Sequence, residues 1–396
     1  MKNLAIGEFF INIGKAILLL SFAKFLYDET GQIWAISLSF LGDVLMSTLI
    51  PMLVGRSVDK NGVKNILMLS AFLHVLFAIL GIALLFTFGI SSLLLLGISI
   101  LLSSVWPISR MAVFNVTPLL SSHDDLEKDN GVLSFAFQAG QLIGMVSAGW
   151  LLHKFGFIII LSIVTALFIL SFIFYYLVSH TIKQSHSISK IGEKNGQVKL
   201  GKLFKKSIPF IPIFILSNFD FIGIAIFNIL LVSIVAENFD GSSFWLAGLD
   251  SSFAIGALLG GAFIAKELRK RSSDINDVIL MQIIFFIYLV LTVVTDLKYF
   301  LPIMALFIGL FQSYSGVYWR TKLQKELPKE LMGSLTGIKY IISSVHIGII
   351  VMIISYAHQL SYTIAIIWSS FIIFIQFIAL LYTKKREQIK TNAKIY

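Results

Sequence analysis

The stretch Gly55-Arg56-Ser57-Val58-Asp59-Lys60-Asn61-Gly62-Val63-Lys64 decides how this chain is read. It is a short basic turn between two apolar runs, at about 33–55 and 66–88. Each run is long enough for one membrane crossing, which takes about 20 residues as a helix. Outward from this turn the same alternation continues, with apolar runs at about 4–27, 91–117, 131–153 and 157–180. Six more lie at about 208–236, 243–265, 275–297, 299–320, 334–357 and 361–382. Residues 181–206, between the two sets, are rich in Ser, Lys and Gly without an apolar period and read as a linker. Twelve transmembrane helices are expected. Residues 1–180 would form an N-terminal six-helix bundle, 181–206 a cytoplasmic linker, 207–383 a C-terminal six-helix bundle and 384–396 a basic cytoplasmic tail.

Composition points the same way. Of 396 residues, 57% are hydrophobic and 13% charged, where a soluble domain carries roughly 25% charged residues. Mean hydropathy is +0.89. That shortage of charge excludes a soluble enzyme and a disordered chain. The net charge of +10 does not indicate a nucleic-acid partner, because the basic residues fall in short clusters between apolar runs, not along one face. Their placement instead sets an orientation. With the N-terminus in the cytoplasm, Lys154 and Lys298 fall outside, while Lys15, Lys24, Arg110 and Lys339 fall within runs. The other 25 of the 31 basic residues are then cytoplasmic, as the positive-inside rule requires. A multi-pass protein of the cell membrane is expected, with both termini in the cytoplasm and the lipid bilayer as its partner.

The chain has no Cys, so it has no disulfide, thiolate metal site or Cys nucleophile. It contains no Gly-x-x-x-x-Gly-Lys-(Ser/Thr), His-Glu-x-x-His or Gly-x-Ser-x-Gly. Neither ATP as the direct energy source nor a membrane hydrolase is indicated. No cofactor, no metal and no enzymatic activity are expected. The first run carries Glu8, Lys15 and Lys24 without a small-residue cleavage site, and so reads as a helix and not a signal peptide.

The turn quoted above resembles the signature that the major facilitator superfamily carries at this place, Gly-x-x-x-Asp-(Arg/Lys)-x-Gly-(Arg/Lys)-(Arg/Lys). Gly55, Asp59, Lys60, Gly62 and Lys64 match, and Val63 stands in place of one basic residue. The physics suits a gate: Gly55 permits close backbone approach, and Asp59 can face the positive N-terminal end of a neighbouring helix. The resemblance implies that Asp59 latches the cytoplasmic side; the plainer alternative is a tight basic turn. Asn115-Val-Thr-Pro-Leu-Leu-Ser-Ser-His-Asp-Asp-Leu126 followed by Gly131, together with Tyr27-Asp-Glu-Thr-Gly31, resembles the macrolide-efflux-type exporters of that superfamily. The corresponding turn of the second half, Ala265-Lys-Glu-Leu-Arg-Lys-Arg271, keeps basic residues but has no Asp. Gly140-Gln-Leu-Ile-Gly144-Met-Val-Ser-Ala148-Gly149 resembles the antiporter motif of drug exporters, with Met145 where that motif has Pro. Close packing of helices through small residues explains Gly140, Gly144 and Gly149 equally well. The resemblance implies an all-α membrane fold with two six-helix bundles around a central cavity, each bundle built of inverted three-helix repeats and working by alternating access.

Ionisable groups within the runs cost at least about 2.5–3.5 kcal/mol each at the bilayer centre. Glu8, Asn12 and Lys15 share a face of the first run by their i, i+4, i+7 spacing. Asp43 lies near mid-depth of the second run, and Trp106 and Arg110 share a stripe of the fourth with Ser103 and Pro107. Ser217, Asp220 and Asn228 lie on roughly one side of the seventh, and Asp250 in the outer half of the eighth. Tyr314 and Trp319 border the polar stripes, and Lys339, Ser343 and His346 repeat as i, i+4, i+7 in the eleventh. One reading has these residues lining a water-filled path, with Glu8, Asp43 and Asp220 as proton carriers and Lys15 and Arg110 as modulating cations. Asn12, Lys15, Trp106, Arg110, Asn228, Asp250, Tyr314, Trp319, Lys339, Ser343 and His346 would then line the cavity as candidate substrate contacts. The other reading is a set of permanent buried pairs that fix helix register. A lone histidine such as His74 is expected to bond a backbone carbonyl. The expected function is proton-coupled efflux of an amphipathic, drug- or macrolide-like small molecule by a monomer. The alternative is a lipid or lysolipid flippase, or a small-molecule importer, on the same fold. Lys15 weighs against a cationic cargo.

Overall fold

Hydrocarbon offers no partner to an open N–H or C=O, so a segment that crosses it must satisfy its backbone internally. The computed structural model describes residues 1–31, 33–182, 200–267 and 273–392, and it is helical throughout these residues with short connections and no strand. The first six helices are α1 (Lys2–Thr30), α2 (Ile33–Asn61), α3 (Val63–Phe88), α4 (Ser92–Leu120), α5 (Leu126–Lys154) and α6 (Phe157–Thr181). Two short helices follow, α7 (Leu200–Ser207) and α8 (Ile211–Leu216). The remainder are α9 (Phe219–Phe239), α10 (Ser243–Glu267), α11 (Ile275–Leu291), α12 (Leu301–Glu326), α13 (Met332–Leu360) and α14 (Tyr362–Asn392). All twelve expected runs are therefore helical, and the fold is an all-α, twelve-helix membrane fold. Among the described residues, ten helices are long and apolar enough to cross a membrane, and α11 is a shorter apolar helix. Phe86, Leu93 and Val146 are 72%, 80% and 71% exposed, a surface that suits acyl chains. Gly62 ends α2 and opens α3 with φ +83°, a backbone conformation that only glycine adopts without strain.

Three features depart from the sequence reading. The end of the expected linker is helical: α7 buries Leu203 and leaves Lys205 and Lys206 exposed, a one-sided pattern too short to register as a period. The expected basic tail continues the last span, because α14 runs on to Asn392 through a lysine-rich stretch with good helix propensity. The seventh run is broken. Pro212, which lacks an N–H, sits in the first turn of α8. At Ser217–Asn218 the chain turns, with the Ser217 hydroxyl donating to the Phe214 carbonyl at 2.9 Å and the Asn218 amide donating to the Ile215 carbonyl at 3.1 Å. Then α9 begins, with Asp220 in its first turn.

The chain divides into two compact units. Unit 1 comprises residues 1–129, 136–209 and 324–344; unit 2 comprises 130–135, 210–323 and 345–396. The end of α12 and the first part of α13 thus group with unit 1, and residues 130–135 of α5 with unit 2. In unit 1, α1 packs on α6, α3 on α4 and α6, and α2 on α4. Unit 2 is built around Phe227, Phe285, Tyr288, Leu289 and Ile373, and α11 packs on α14.

Within unit 2, α10 and α12 touch backbone to backbone. A Cβ on Gly260 would stand 2.5 Å from the Leu310 carbonyl oxygen, and one on Gly309 would overlap the Phe253 carbonyl. Gly309→Val therefore forces these helices apart and is expected to destabilise the protein by about 1–3 kcal/mol, as overpacking does. A Cβ on Gly149 meets nothing within 4 Å, so Gly149→Val is expected to have little effect. Thermal unfolding of the two variants in detergent, compared with the parent, checks the contrast.

Candidate functional site

Asp59 stands in the last turn of α2, and its carboxylate meets the start of α13 within unit 1. The Gly333 amide donates to Oδ1 at 2.7 Å and the Ser334 amide to Oδ2 at 2.8 Å. These are among the first amides of α13, which have no acceptor inside their own helix and carry its positive dipole end. Three glycines make the approach possible. A Cβ on Gly55 would lie 2.8 Å from the Gly333 carbonyl oxygen, one on Gly333 would lie 2.6 Å from the Gly55 carbonyl oxygen, and one on Gly337 would lie 2.6 Å from that of Pro51. Burial pushes the Asp59 carboxyl above the ordinary carboxylate range, and the hydrogen bonds from Ser334 and Gly333 offset only part of that rise. The two amides are thus what make an ionised Asp59 tolerable here. Lys60 is exposed and Lys64 half-buried. In the corresponding place of unit 2, Gly131 packs on Ile264 and on Ala265, with an added Cβ 3.1 Å from the Ala265 amide nitrogen. The close approach is present there, with Ala265 and no carboxylate at the contact itself. Lys270, Arg269 and Arg271 lie outside the described residues.

A second group of polar side chains lies inside unit 1, on α1, α3, α4 and α6. Glu8 is half-buried; it accepts a hydrogen bond from the hydroxyl of the fully buried Tyr175, and the Asn12 amide lies 3.4 Å from its Oε2. Asn12 also donates to the Glu8 backbone carbonyl at 2.6 Å. Farther along α1, the Lys15 ammonium lies 4.7 Å over the Trp106 ring. Trp106 in turn contacts His74, with ring centroids 4.7 Å apart, and His74 is buried with Nδ1 2.9 Å from the Ser70 carbonyl oxygen. One turn beyond Trp106, the Arg110 guanidinium is exposed and lies 5.5 Å over the Phe137 ring. Gly140 and Gly144 face α1: Cβ atoms there would stand 2.5 Å from the Phe9 carbonyl oxygen and 2.6 Å from that of Ile13.

The remaining candidates are more scattered. Asp220 is buried in the first turn of α9, and a Cβ on Gly316 would lie 3.7 Å from its Oδ2. Asn228 and Asp250 are exposed, Tyr314 is half-buried against Phe311, and Trp319 is buried beside Tyr318. Lys339 lies over Tyr340 at 5.2 Å, the Ser343 hydroxyl donates to the Lys339 carbonyl at 2.8 Å, and His346 is half-buried. Asp43 falls on α2, and its side chain lies outside the described residues. Among the described residues no three His, Cys, Asp or Glu side chains gather into a metal site.

The model of one family, the Major Facilitator Superfamily, matches residues 4–352. The chain belongs to that superfamily. This facilitator is accordingly a multi-pass membrane protein with a transporter fold. Its fold is similar to that of a bacterial homologue of the iron transporter ferroportin in an outward-facing state, with a TM-score of 0.77 and 14% identity over 97% of this chain and 99% of that one. It is also similar to the E. coli fucose:proton symporter FucP, with a TM-score of 0.71 and 14% identity over 96% and 97%. A third likeness is to the human organic anion transporter MFSD10 (TETRAN), with a TM-score of 0.71 and 10% identity over 96% and 98%. At these identities the likeness is one of fold. A search of curated proteins finds no match.

Sequence reasoning missed the partners. Tyr175 lay in an apolar run, though a hydroxyl in a membrane helix must find a partner, and that was the available signal. Gly333 and Gly337 open the eleventh run four residues apart, a spacing that marks a close helix approach. In the facilitator, each amide bond to Asp59 is charge-assisted, a class worth about 1.5–3 kcal/mol. With Thr336→Cys as a reporter, 2% exposed on α13, Asp59→Ala is expected to raise the maleimide-labelling rate at least about tenfold, and Asp59→Asn, which keeps one acceptor, to raise it less. Unchanged labelling in both would remove the latch.

Proposed function

We propose that this facilitator is a secondary active transporter that exports an amphipathic, drug- or macrolide-like small molecule in exchange for entering protons. The observation that carries the reading is the setting of Glu8. A carboxyl on a membrane helix is costly and therefore functional by default, and the partners of this one serve both of its protonation states. The Tyr175 hydroxyl donates to the ionised carboxylate; once Glu8 is protonated, the acid O–H can donate to the same phenolic oxygen. The Tyr175 O–H can then turn to the hydroxyl of Ser109 or Ser171, its other hydrogen-bond partners, so titration strands no buried group. Asp43 and Asp220 are the other candidate proton carriers. The side chains of α1 and α4 beyond Glu8, namely Asn12, Lys15, Trp106 and Arg110, are the candidate substrate contacts.

The Asp59–α13 contact supplies the conformational element. Its two bonds are either made or absent, so proton and cargo can each shift the balance between states and thereby act on one another. The macrolide-efflux assignment rests on residues 27–31 and 115–131, and the cell-membrane location with cytoplasmic termini rests on the basic-residue distribution.

Everted vesicles with an imposed pH gradient, acidic inside, test both direction and coupling. Exporting protein is expected to accumulate labelled cargo inside them, whereas an importer depletes it. Glu8→Gln is expected to abolish gradient-driven accumulation while leaving cargo-for-cargo exchange in place. Asp43→Asn and Asp220→Asn apply the same criterion to the other acids. Full gradient-driven flux in all three variants would overturn proton coupling through these groups.

A further inference from the structure

The transport reading leaves the chemical class of the cargo open, and one patch of unit 1 narrows it. Arg110 stands ten residues before Leu120, the last residue of α4. That is about 15 Å along a 29-residue helix whose length of about 44 Å exceeds a hydrocarbon layer about 30 Å thick, so Arg110 lies within the span and not at its end. At that depth an arginine keeps its charge and its five donors, and it must be given acceptors or water. The ring of Phe137, 5.5 Å away, offers its face but no acceptor for those N–H groups. Among the described residues no carboxylate lies within 4.0 Å of the guanidinium. Glu8 on α1 is engaged by Tyr175 and Asn12.

Arg110 is not the only cation here. Trp106 lies four residues earlier on the same face of α4, and it holds the Lys15 ammonium 4.7 Å over its ring. The face therefore presents two positive charges and two aromatic rings, all within unit 1. A cationic molecule would meet like charge at this patch. A molecule with a carboxylate, sulfonate or phosphate head would give Arg110 the bidentate acceptor that its planar fork fits, while its apolar body lay on Trp106 and Phe137.

We infer that the cargo is an amphipathic anion, received by Arg110 on the Trp106–Arg110 face of α4. The inference rests on the reading of the protein as a transporter. An anionic head group can belong to a free organic acid or to an anionic lipid, and the chemistry at Arg110 is the same for both.

Fluorescence titration of the purified full-length protein in neutral detergent tests this with three probes of similar size: dansylglycine, a carboxylate; dansylamide, neutral; and dansylcadaverine, a cation. Dansylglycine is expected to bind tightest. Arg110→Gln is expected to weaken it at least about tenfold, the cost of losing a charge-assisted pair, and to change dansylamide by less than about twofold. Arg110→Lys is expected to recover part of the loss, because it keeps the charge without the fork. Should Arg110→Gln not fold, competition on the unaltered protein decides: benzenesulfonate is expected to displace dansylglycine and benzylamine is not. Repeating the titration in nanodiscs separates the sources. Displacement of dansylglycine by phosphatidylglycerol, but not by phosphatidylcholine, assigns the site to a lipid head group; equal binding in both assigns it to a free anion. Equal binding of all three probes, tighter binding of dansylcadaverine, or an Arg110→Gln protein that binds dansylglycine normally would overturn the inference. Those results would leave proton coupling standing if gradient-driven flux persisted. Conversely, charge-selective binding without gradient-driven flux would sink the exchange mechanism and leave the anion site.

Discussion

Hydrocarbon cannot solvate a polar group, and the structure is organised around that constraint. The backbone meets it by being helical across every described span. Most polar side chains meet it in the cheapest way available, by bonding a carbonyl of their own helix one turn back. Ser21 bonds Ile17, Asn115 bonds Met111, Thr117 bonds Val113 and Thr165 bonds Leu161, all at 2.7 Å. Such groups are self-contained and ask nothing of their surroundings. Carboxylates and guanidinium groups cannot use this solution, because a carboxylate only accepts and one carbonyl does not serve five N–H donors. Glu8, Asp59 and Arg110 must therefore reach beyond their own helices. That is why the ionisable side chains, and not the hydroxyls, mark the places where this protein has something to do.

Asp59 shows how the constraint selects a position. A carboxylate at a helix start is stabilising only where free amides await it. α13 has no acidic residue in its own first turn, and Gly333 and Ser334 are at its beginning, so the acid has to come from α2. The approach in unit 2 differs on both counts. α5 carries Glu127 and Asp129 in its own first turn. Gly131 lies more than a turn inside α5, where its amide already bonds within the helix. An acid at position 265 would not find a free helix amide at Gly131. Ala265 keeps the close approach of the helices without a charge, and the supply of free helix amides differs between Asp59 and Ala265 accordingly.

The twelve spans were legible because a crossing needs about 20 apolar residues, and the sequence writes that signal one segment at a time. The glycines and the Asp of the α2–α3 turn were legible for the same reason: their spacing is local. What the sequence could not display was pairing over distance. Gly333 is 274 residues from Asp59, and Tyr175 is 167 residues from Glu8; nothing in either segment names the other. The break at Ser217–Asn218 occupies a middle case. Two turn-forming residues stood after Pro212, yet the apolar run on either side outweighed them, and only the hydrogen bonds of the turn expose it. The phenol of Tyr175 was hidden in the same manner, as one polar atom in an apolar helix.

The proposed anionic cargo, seated on α4 beside Arg110 and the Lys15 ammonium, and the proposed proton carrier Glu8 on α1 raise a question of sign, and magnitudes answer it. Glu8 and Lys15 are seven residues apart on α1, about 10 Å along the axis. An ionised Glu8 repels an anion placed near Lys15, so protonation locally favours cargo binding, the opposite of what exchange requires. At 10 Å that repulsion is about 0.4 kcal/mol in a water-like medium and about 1.7 kcal/mol at an effective dielectric constant of 20. Two quantities of comparable or larger size can outweigh it. Coupling through a shared conformational equilibrium is typically about 1–3 kcal/mol and takes its sign from which state each ligand prefers, not from their mutual repulsion. An anion leaving a negative-inside cell also gains about 2.3 kcal/mol per charge for each 100 mV. In the proposed exchange, the exported anion and the entering proton would both be driven by the membrane potential. The local repulsion on α1 trims that drive without reversing it, provided that the Asp59 latch, and not contact between the two ligands, carries the coupling.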